Sequence, residues 1–353
     1  MILKGVNTAF YGVDCDKWFN YYWAMKTISI LVPNGAAVVG CIEGAFKIFN
    51  LANVFLEERG KSPLFTVQLV GLSTEARVYD KLFTIQPDHV FSDVKKTDLI
   101  IIPPVNGTMK EVISINKEFF PWISSHYLAG SEVASLCVGT FLLASTGLLK
   151  GKKCSTHWVA EHEFRKMFPD VNLVSDKIIT DQQGVYSSGG ANSFWNLLLY
   201  LVEKYTDRSL AVQIAKYYEL EIDRDNQSSF IMFKGQKDHE DEPIKKTQEY
   251  IEKNFNEKIT VDQLASLVAI GRRNLERRFK KATSNTVVEY IQRVKIEAAK
   301  ISLESSRENV NEVMYKVGYS DTKAFRTTFK KITGLSPVQY RNKYNHEIAY
   351  QRL

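Results

Sequence analysis

The sequence predicts an α/β domain, a parallel sheet with helices on both faces, followed by an all-α domain that carries two helix-turn-helix units. Three observations predict it. Short apolar runs alternate with helix-period segments through the first half of the chain, the pattern of a sheet buried on both sides. The pentad Phe279-Lys280-Lys281-Ala282-Thr283 returns as Phe329-Lys330-Lys331-Ile332-Thr333, 50 positions later, so one basic helical unit is used twice. Charge follows the same division. From Ile244 to the end there are 22 Lys and Arg against 12 Asp and Glu, a net +10 in a chain of net +6, which leaves −4 for residues 1–243. Only the C-terminal part is built to meet a polyanion.

Taken in order, residues 1–24 lack a signal-peptide pattern and crowd aromatics (Phe10, Tyr11, Trp18, Phe19, Tyr21, Tyr22, Trp23), which reads as a leader or an arm. The sheet domain is expected over 25–222. Its first strand is the apolar run at 27–32, closed by Pro33-Asn34-Gly35 and followed by a helical pattern at 38–53. Residues 65–70 and 99–102 read as further parallel strands, the second leaving through the loop Pro103-Pro104-Val105-Asn106-Gly107. A short strand at 133–136 runs straight into Cys137-Val138-Gly139-Thr140 and a helix at 141–149. Ligands of such sheets lie at the carboxyl ends of the strands, where Cys137 falls. A turn from strand to helix has the logic of a nucleophile elbow, and the N–H groups opening the helix are expected to favour a thiolate. His157 follows twenty positions later, and a helix is expected at 193–204. The polar stretch from Asp223 and the acidic run Asp238-His239-Glu240-Asp241-Glu242-Pro243 read as a linker over 223–243, with His239 solvated.

The helical domain is expected over 244–345, opening with a helix at 244–255. Thr260 with Gln263 is a capping box ahead of the stripe Val261, Leu264, Ala265, Val268. Gly271 is expected to turn the chain into a helix at 272–281 that buries Leu275 and Phe279 and leaves its cations outside. Val287, Tyr290, Ile291, Val294, Ala298 and Ile301 fall on one face of a bridging helix at 286–303. Asn309 with Glu312 then caps the stripe Val310, Val313, Met314, Val317, and after Gly318-Tyr319-Ser320 comes an outer helix at 321–331 with Phe325 and Phe329 inward.

From these residues the stretch 244–342 resembles the DNA-binding domain of the AraC/XylS regulators. Its most specific part is Gly318-Tyr319-Ser320, Phe325, Phe329-Lys330-Lys331, Gly334-Leu335-Ser336-Pro337 and Tyr340-Arg341. The resemblance implies that Arg273, Glu276 and Arg277, with Thr322, Lys323, Arg326 and Thr327, face the major groove, and that Arg278, Lys280, Lys281, Lys330 and Lys331 meet phosphates, with Arg272 beside them. The passage 133–158, with Leu142-Leu143-Ala144, Gly147-Leu148-Leu149 and Gly151, resembles the PfpI-like branch of the class I glutamine-amidotransferase-like superfamily. With Phe168-Pro169-Asp170-Val171 and Ser187-Ser188-Gly189-Gly190 the likeness covers roughly 25–220, and the domain order resembles GlxA-type regulators. In enzymatic members a carboxylate on the helix after the first strand bonds the nucleophile; here Cys41 takes that place, and Glu43, about 200° further round the helix, should point away. The resemblance therefore implies a degenerate Cys137 and His157 pair, with no catalytic residue, and a ligand held over Cys137, Val138, His157, Asn106, Gly107 and Cys41. The alternative is a retained Cys-dependent hydrolase, hydratase or glyoxalase-type activity.

Four cysteines (Cys15, Cys41, Cys137, Cys154) have no metal-ligand spacing, so no metal or cofactor is expected, and reduced thiols in a cytoplasm are the default. No apolar run reaches the roughly 18 residues of a membrane span, so no membrane partner is expected. The expected partners are double-stranded DNA, a small-molecule effector and, on family grounds, a second copy of the chain.

Overall fold

The computed structural model describes residues 25–78, 82–222 and 224–345; the aromatic arm expected at 1–24 lies outside them. By packing, the chain falls into two units, 1–134 with 198–220 and 135–197 with 221–353.

In the first unit the strands stand in the order Glu132–Ser135, Leu99–Ile102, Lys26–Val32, Phe65–Gly71, His89–Val90. Lys26–Val32 is parallel to both of its neighbours. Its Ile28, Ile30, Leu31 and Val32 are fully buried, as an apolar run with no alternation requires of a strand covered on both faces. The helix expected at 38–53 runs further, Val39–Glu58. Its Asn53 ties it to the next strand: the side-chain oxygen accepts from the N–H groups of Leu64 and Phe65, both at 2.9 Å, and the amide donates to Phe65 O at 2.7 Å. By length and composition alone this helix could cross a membrane, though Glu43 and Lys47 interrupt its apolar run; half of its apolar window is buried in the protein, Ile48, Phe49 and Ala52 completely.

The second unit opens with departures. A 3-10 turn, Cys137–Gly139, precedes an α-helix of only six residues, Thr140–Ser145, because the chain turns left-handed at Gly147 (φ +81°). Ile179–Gln182 and Val185–Ser188 pair antiparallel, so the strands are not all parallel as expected. Gln183 and Gly184 both take positive φ, 56° and 76°, which gives the tight two-residue turn that matches strand twist.

The helix-turn-helix units follow the sequence closely. Thr260 with Gln263 and Asn309 with Glu312 form capping boxes, and a third, Thr286 with Glu289, opens the bridging helix Val287–Ser305. The outer helices Arg272–Thr283 and Thr322–Thr333 have the same succession of buried and exposed positions, with Leu275 and Phe279 matched by Phe325 and Phe329. Gly271 is an ordinary N-cap at φ −64°; the left-handed residue of the first turn is Ala269 (φ +52°), matched in the second by Gly318 (φ +73°). A side chain at Gly318 would strike the carbonyl of Asn256.

Each unit has its own core. Ile244, Ile251, Leu264, Leu275, Phe279 and Tyr290 form the first, and Ile296, Leu303, Val313, Phe325, Phe329 and Tyr340 the second. The bridging helix serves both and changes face between them. Ile301, placed inward by the single-face reading, is therefore 57% exposed, while Ile296, Ala299 and Leu303 are buried. At the change of face sits Lys295, whose Nζ donates to the carbonyls of Glu257 and Val317 at 3.2 Å and Gly318 at 3.1 Å.

Candidate functional site

Cys137 takes φ +55°, a conformation a non-glycine residue adopts only when its surroundings impose it. Three hydroxyls do so. The Cys137 N–H donates to Ser188 Oγ at 3.0 Å, and its carbonyl accepts from Thr140 Oγ1 at 2.9 Å and Thr156 Oγ1 at 3.1 Å. Thr140 Oγ1 also lies 3.0 Å from Ser155 O and 3.1 Å from Ser135 Oγ, so its one proton is shared among alternatives. The Ser155 N–H donates to Ser187 Oγ at 2.7 Å. All of these hydroxyl residues are fully buried. The elbow expected from sequence is thus present and held rigidly.

Its thiol is not the one expected. Burial pushes the Cys137 thiol up, and the N–H groups of Ala191 and Val138 aimed at the sulfur only partly oppose that. Desolvation thus opposes the thiolate that the turn was expected to favour, and it outweighs the helix-end donors. His157 lies against Gly190, where an added Cβ would come 2.6 Å from the ring. Burial lowers its pKa, and its Nδ1 accepts from the Val159 N–H at 3.1 Å. The neutral ring then carries its proton on Nε2 and presents a donor rather than a base.

The remaining candidates lie in the first unit. Cys41 is buried in the helix Val39–Glu58, while Glu43 is exposed and pairs with Lys47. Asn106 is exposed and pairs across a short antiparallel bridge with Ala36; Gly107 follows at φ +129°.

On the helical domain Arg272, Arg273, Glu276, Arg277, Lys281, Thr322, Lys323, Arg326, Thr327 and Lys331 are all exposed. Gly271, Arg273, Asn274 and Arg277 line an open concavity of about 360 Å³. Arg272 pairs with Asp262 at 3.1 Å and Glu276 at 3.4 Å, and Arg277 donates to Asn274 Oδ1 at 2.9 Å. Such exposed pairs hold weakly and exchange readily for a nucleic acid group. Arg278, expected to meet a phosphate, already has a partner within the protein. It is half-buried and makes a two-point bond to Asp241, Nε to Oδ2 at 2.9 Å and an Nη to Oδ1 at 2.7 Å. His239, expected to be solvated, is half-buried and bonded through Nε2 to Gln248 Oε1 at 2.9 Å.

Sequence reasoning missed Gln227, which packs behind the elbow, and Lys295. The first had a signal in Gly189-Gly190, a pair that allows close approach; the second in a lysine four residues after Ile291 on an apolar stripe.

Residues 51–204 match the model of the DJ-1/PfpI family, and residues 264–343 match that of a helix-turn-helix domain. The chain thus carries a DJ-1/PfpI-like domain followed by a helix-turn-helix domain, and DNA is the partner such a domain implies. Among relatives, it is 25% identical over 264 residues to the HTH-type transcriptional regulator GbdR of Pseudomonas aeruginosa, covering 72% of this chain and 68% of that protein. It is 38% identical over 102 residues to the bifunctional transcriptional activator/DNA repair enzyme AdaA of Bacillus subtilis, covering 29% and 48%. Among solved structures, an AraC family transcriptional regulator from Pseudomonas putida superposes with a TM-score of 0.47 at 16% identity, covering 55% of this chain and 99% of that one.

Proposed function

We propose that this chain is a sequence-specific transcription regulator of the GlxA type, a cytoplasmic homodimer whose PfpI-like domain, over 25–222, senses a small molecule without turning it over. One observation carries the DNA-binding reading: two outer helices 50 residues apart bury the same positions and present cations on the same exposed face. In this reading Arg273, Glu276 and Arg277 read bases from one helix and Thr322, Lys323, Arg326 and Thr327 from the other, with Arg272, Lys281 and Lys331 on phosphates. The effector lies over Cys137, Val138 and His157. The raised Cys137 thiol and the donor form of His157 support a sensing role rather than catalysis.

The test is selection of bound sequences from random duplex DNA by the full chain, with and without a cell metabolite extract. A recurring sequence with two half-sites about 10 bp apart is expected. Recovery of unrelated sequences alone would leave a nucleoid-type binder. Turnover of an ester, amide or 2-oxoaldehyde that disappears in Cys137→Ser would show the domain to be an enzyme.

A further inference from the structure

Residues 224–233, expected to belong to a linker, are bonded on two sides within the second unit. Gln227 is 1% exposed. Its side-chain nitrogen donates to Thr156 O at 2.9 Å and Ser175 O at 2.8 Å, its side-chain oxygen accepts from the Gly190 N–H at 2.8 Å, and its own N–H donates to Asp176 O at 2.8 Å. It fits there because residue 189 is glycine; a Cβ at that position would lie 2.9 Å from the Gln227 carboxamide. Gly190 in turn meets the ring of His157, and Ala191, at φ +43°, directs its N–H to the sulfur of Cys137. His157, the turn 189–191 and Gln227 form one continuous run of contacts.

The same segment bonds both the bridging helix and the second helix-turn-helix unit. Asn226 Oδ1 lies 2.9 Å from where a Cβ on Gly334 would stand, and Gly334 is the left-handed cap of the outer helix Thr322–Thr333. Ser229 Oγ accepts from Tyr344 Oη at 3.3 Å, Ile231 O accepts from Lys300 Nζ at 2.6 Å, and the Phe233 N–H donates to Glu297 Oε2 at 3.1 Å.

We propose that residues 224–233 are a relay through which occupation of the Cys137 and His157 site alters the seating of the second helix-turn-helix unit, with Gln227 as the reading residue. The proposal rests on the sensing role argued above. A ligand that displaces His157 or the turn 189–191 moves the Gly190 N–H, and Gln227 must follow or leave buried polar groups unpaired. Asn226, one residue away, then shifts against the cap at Gly334.

The test is a double-substitution cycle in the full chain, probed with the duplex enriched by the selection above. Gly190→Ala stands in for an occupied site, because its added methyl pushes on His157. It is expected to change affinity by a factor within the about 5–150-fold span of coupled sites. In a Gln227→Ala background the same substitution should have at most about a twofold effect. Tyr344→Phe, which removes only the hydroxyl bonded to Ser229, gives a second cycle if Gln227→Ala melts early, and it should also reduce the effect. An effect of Gly190→Ala that is absent, or unchanged by both partner substitutions, overturns the relay while leaving the regulator reading intact. Absence of binding by the unaltered chain defeats that reading first, and the relay with it.

Discussion

Cys137 and the exposed arginines of the first outer helix are where single side chains decide the chemistry. Because burial raises the Cys137 thiol, its alkylation by iodoacetamide should keep accelerating through pH about 8.5, where a free thiol is half ionised, instead of levelling off near neutrality. Cys154, fully buried and pushed up to about 12, should react more slowly still. Peptide mapping of the labelled chain distinguishes the two; a Cys137 rate that is flat above pH 7 would mean the thiolate wins after all. On the DNA face, Arg273 and Arg277 are four apart and share one side of their helix. Arg277→Ala should remove about 1–3 kcal/mol of discrimination at one or two base pairs, while Lys281→Ala weakens all sequences alike. Titration of both variants against enriched and scrambled duplexes separates the roles.

At the scale of elements, two charged side chains fix how helices sit. Lys295→Met would leave the carbonyls of Glu257, Val317 and Gly318 without their shared donor, at a cost of about 1–3 kcal/mol. Because that ammonium ties the second turn to the chain after the first helix of the domain, the variant should also tolerate altered half-site spacing, readable by inserting one base pair between half-sites. The Arg278 guanidinium holds the Asp241 carboxyl below its usual range. A carboxyl depressed in the folded state stabilises fully above its unfolded value, about 3.9, and that contribution is lost as pH falls through the lower folded value. Asp241→Asn should therefore lower the melting temperature at pH 6 and flatten its dependence on acid; an unchanged acid slope would show that the pair contributes nothing.

For the whole molecule, DNA affinity should fall steeply with salt, each neutralised phosphate adding about −0.9 to the logarithmic slope. The charge that drives it lies beyond residue 243, so a fragment of residues 244–353 should keep a similar slope. A fragment beginning at residue 224 should melt higher than one beginning at 244, since only the longer one retains the bonds of Phe233 to Glu297, His239 to Gln248 and Asp241 to Arg278. Equal melting temperatures would mean that the segment adds nothing to the stability of the helical domain.

What the sequence determined by itself is what is settled within a few residues of chain. The capping boxes at Thr260 and Asn309 pair residues three apart, the repeated Phe279 and Phe329 mark the same turn of two equivalent helices, and the apolar run at 99–102 needs no partner to declare that both its faces are buried. The elbow at Cys137 was legible for the same reason. The protonation of its thiol was not, because that depends on how much water the surrounding chain excludes. The antiparallel hairpin was in principle visible at Gln183-Gly184, but only as one local turn against a pattern of alternating strands and helices. Only the tertiary structure decided which polar groups pair: Gln227 meets Thr156 across 71 residues, Arg278 meets Asp241 across 37, and Lys295 meets Val317 across 22. Hydrogen bonds act over about 3 Å of space regardless of separation along the chain, so pairings of this kind are fixed by packing and leave no periodic trace in the sequence.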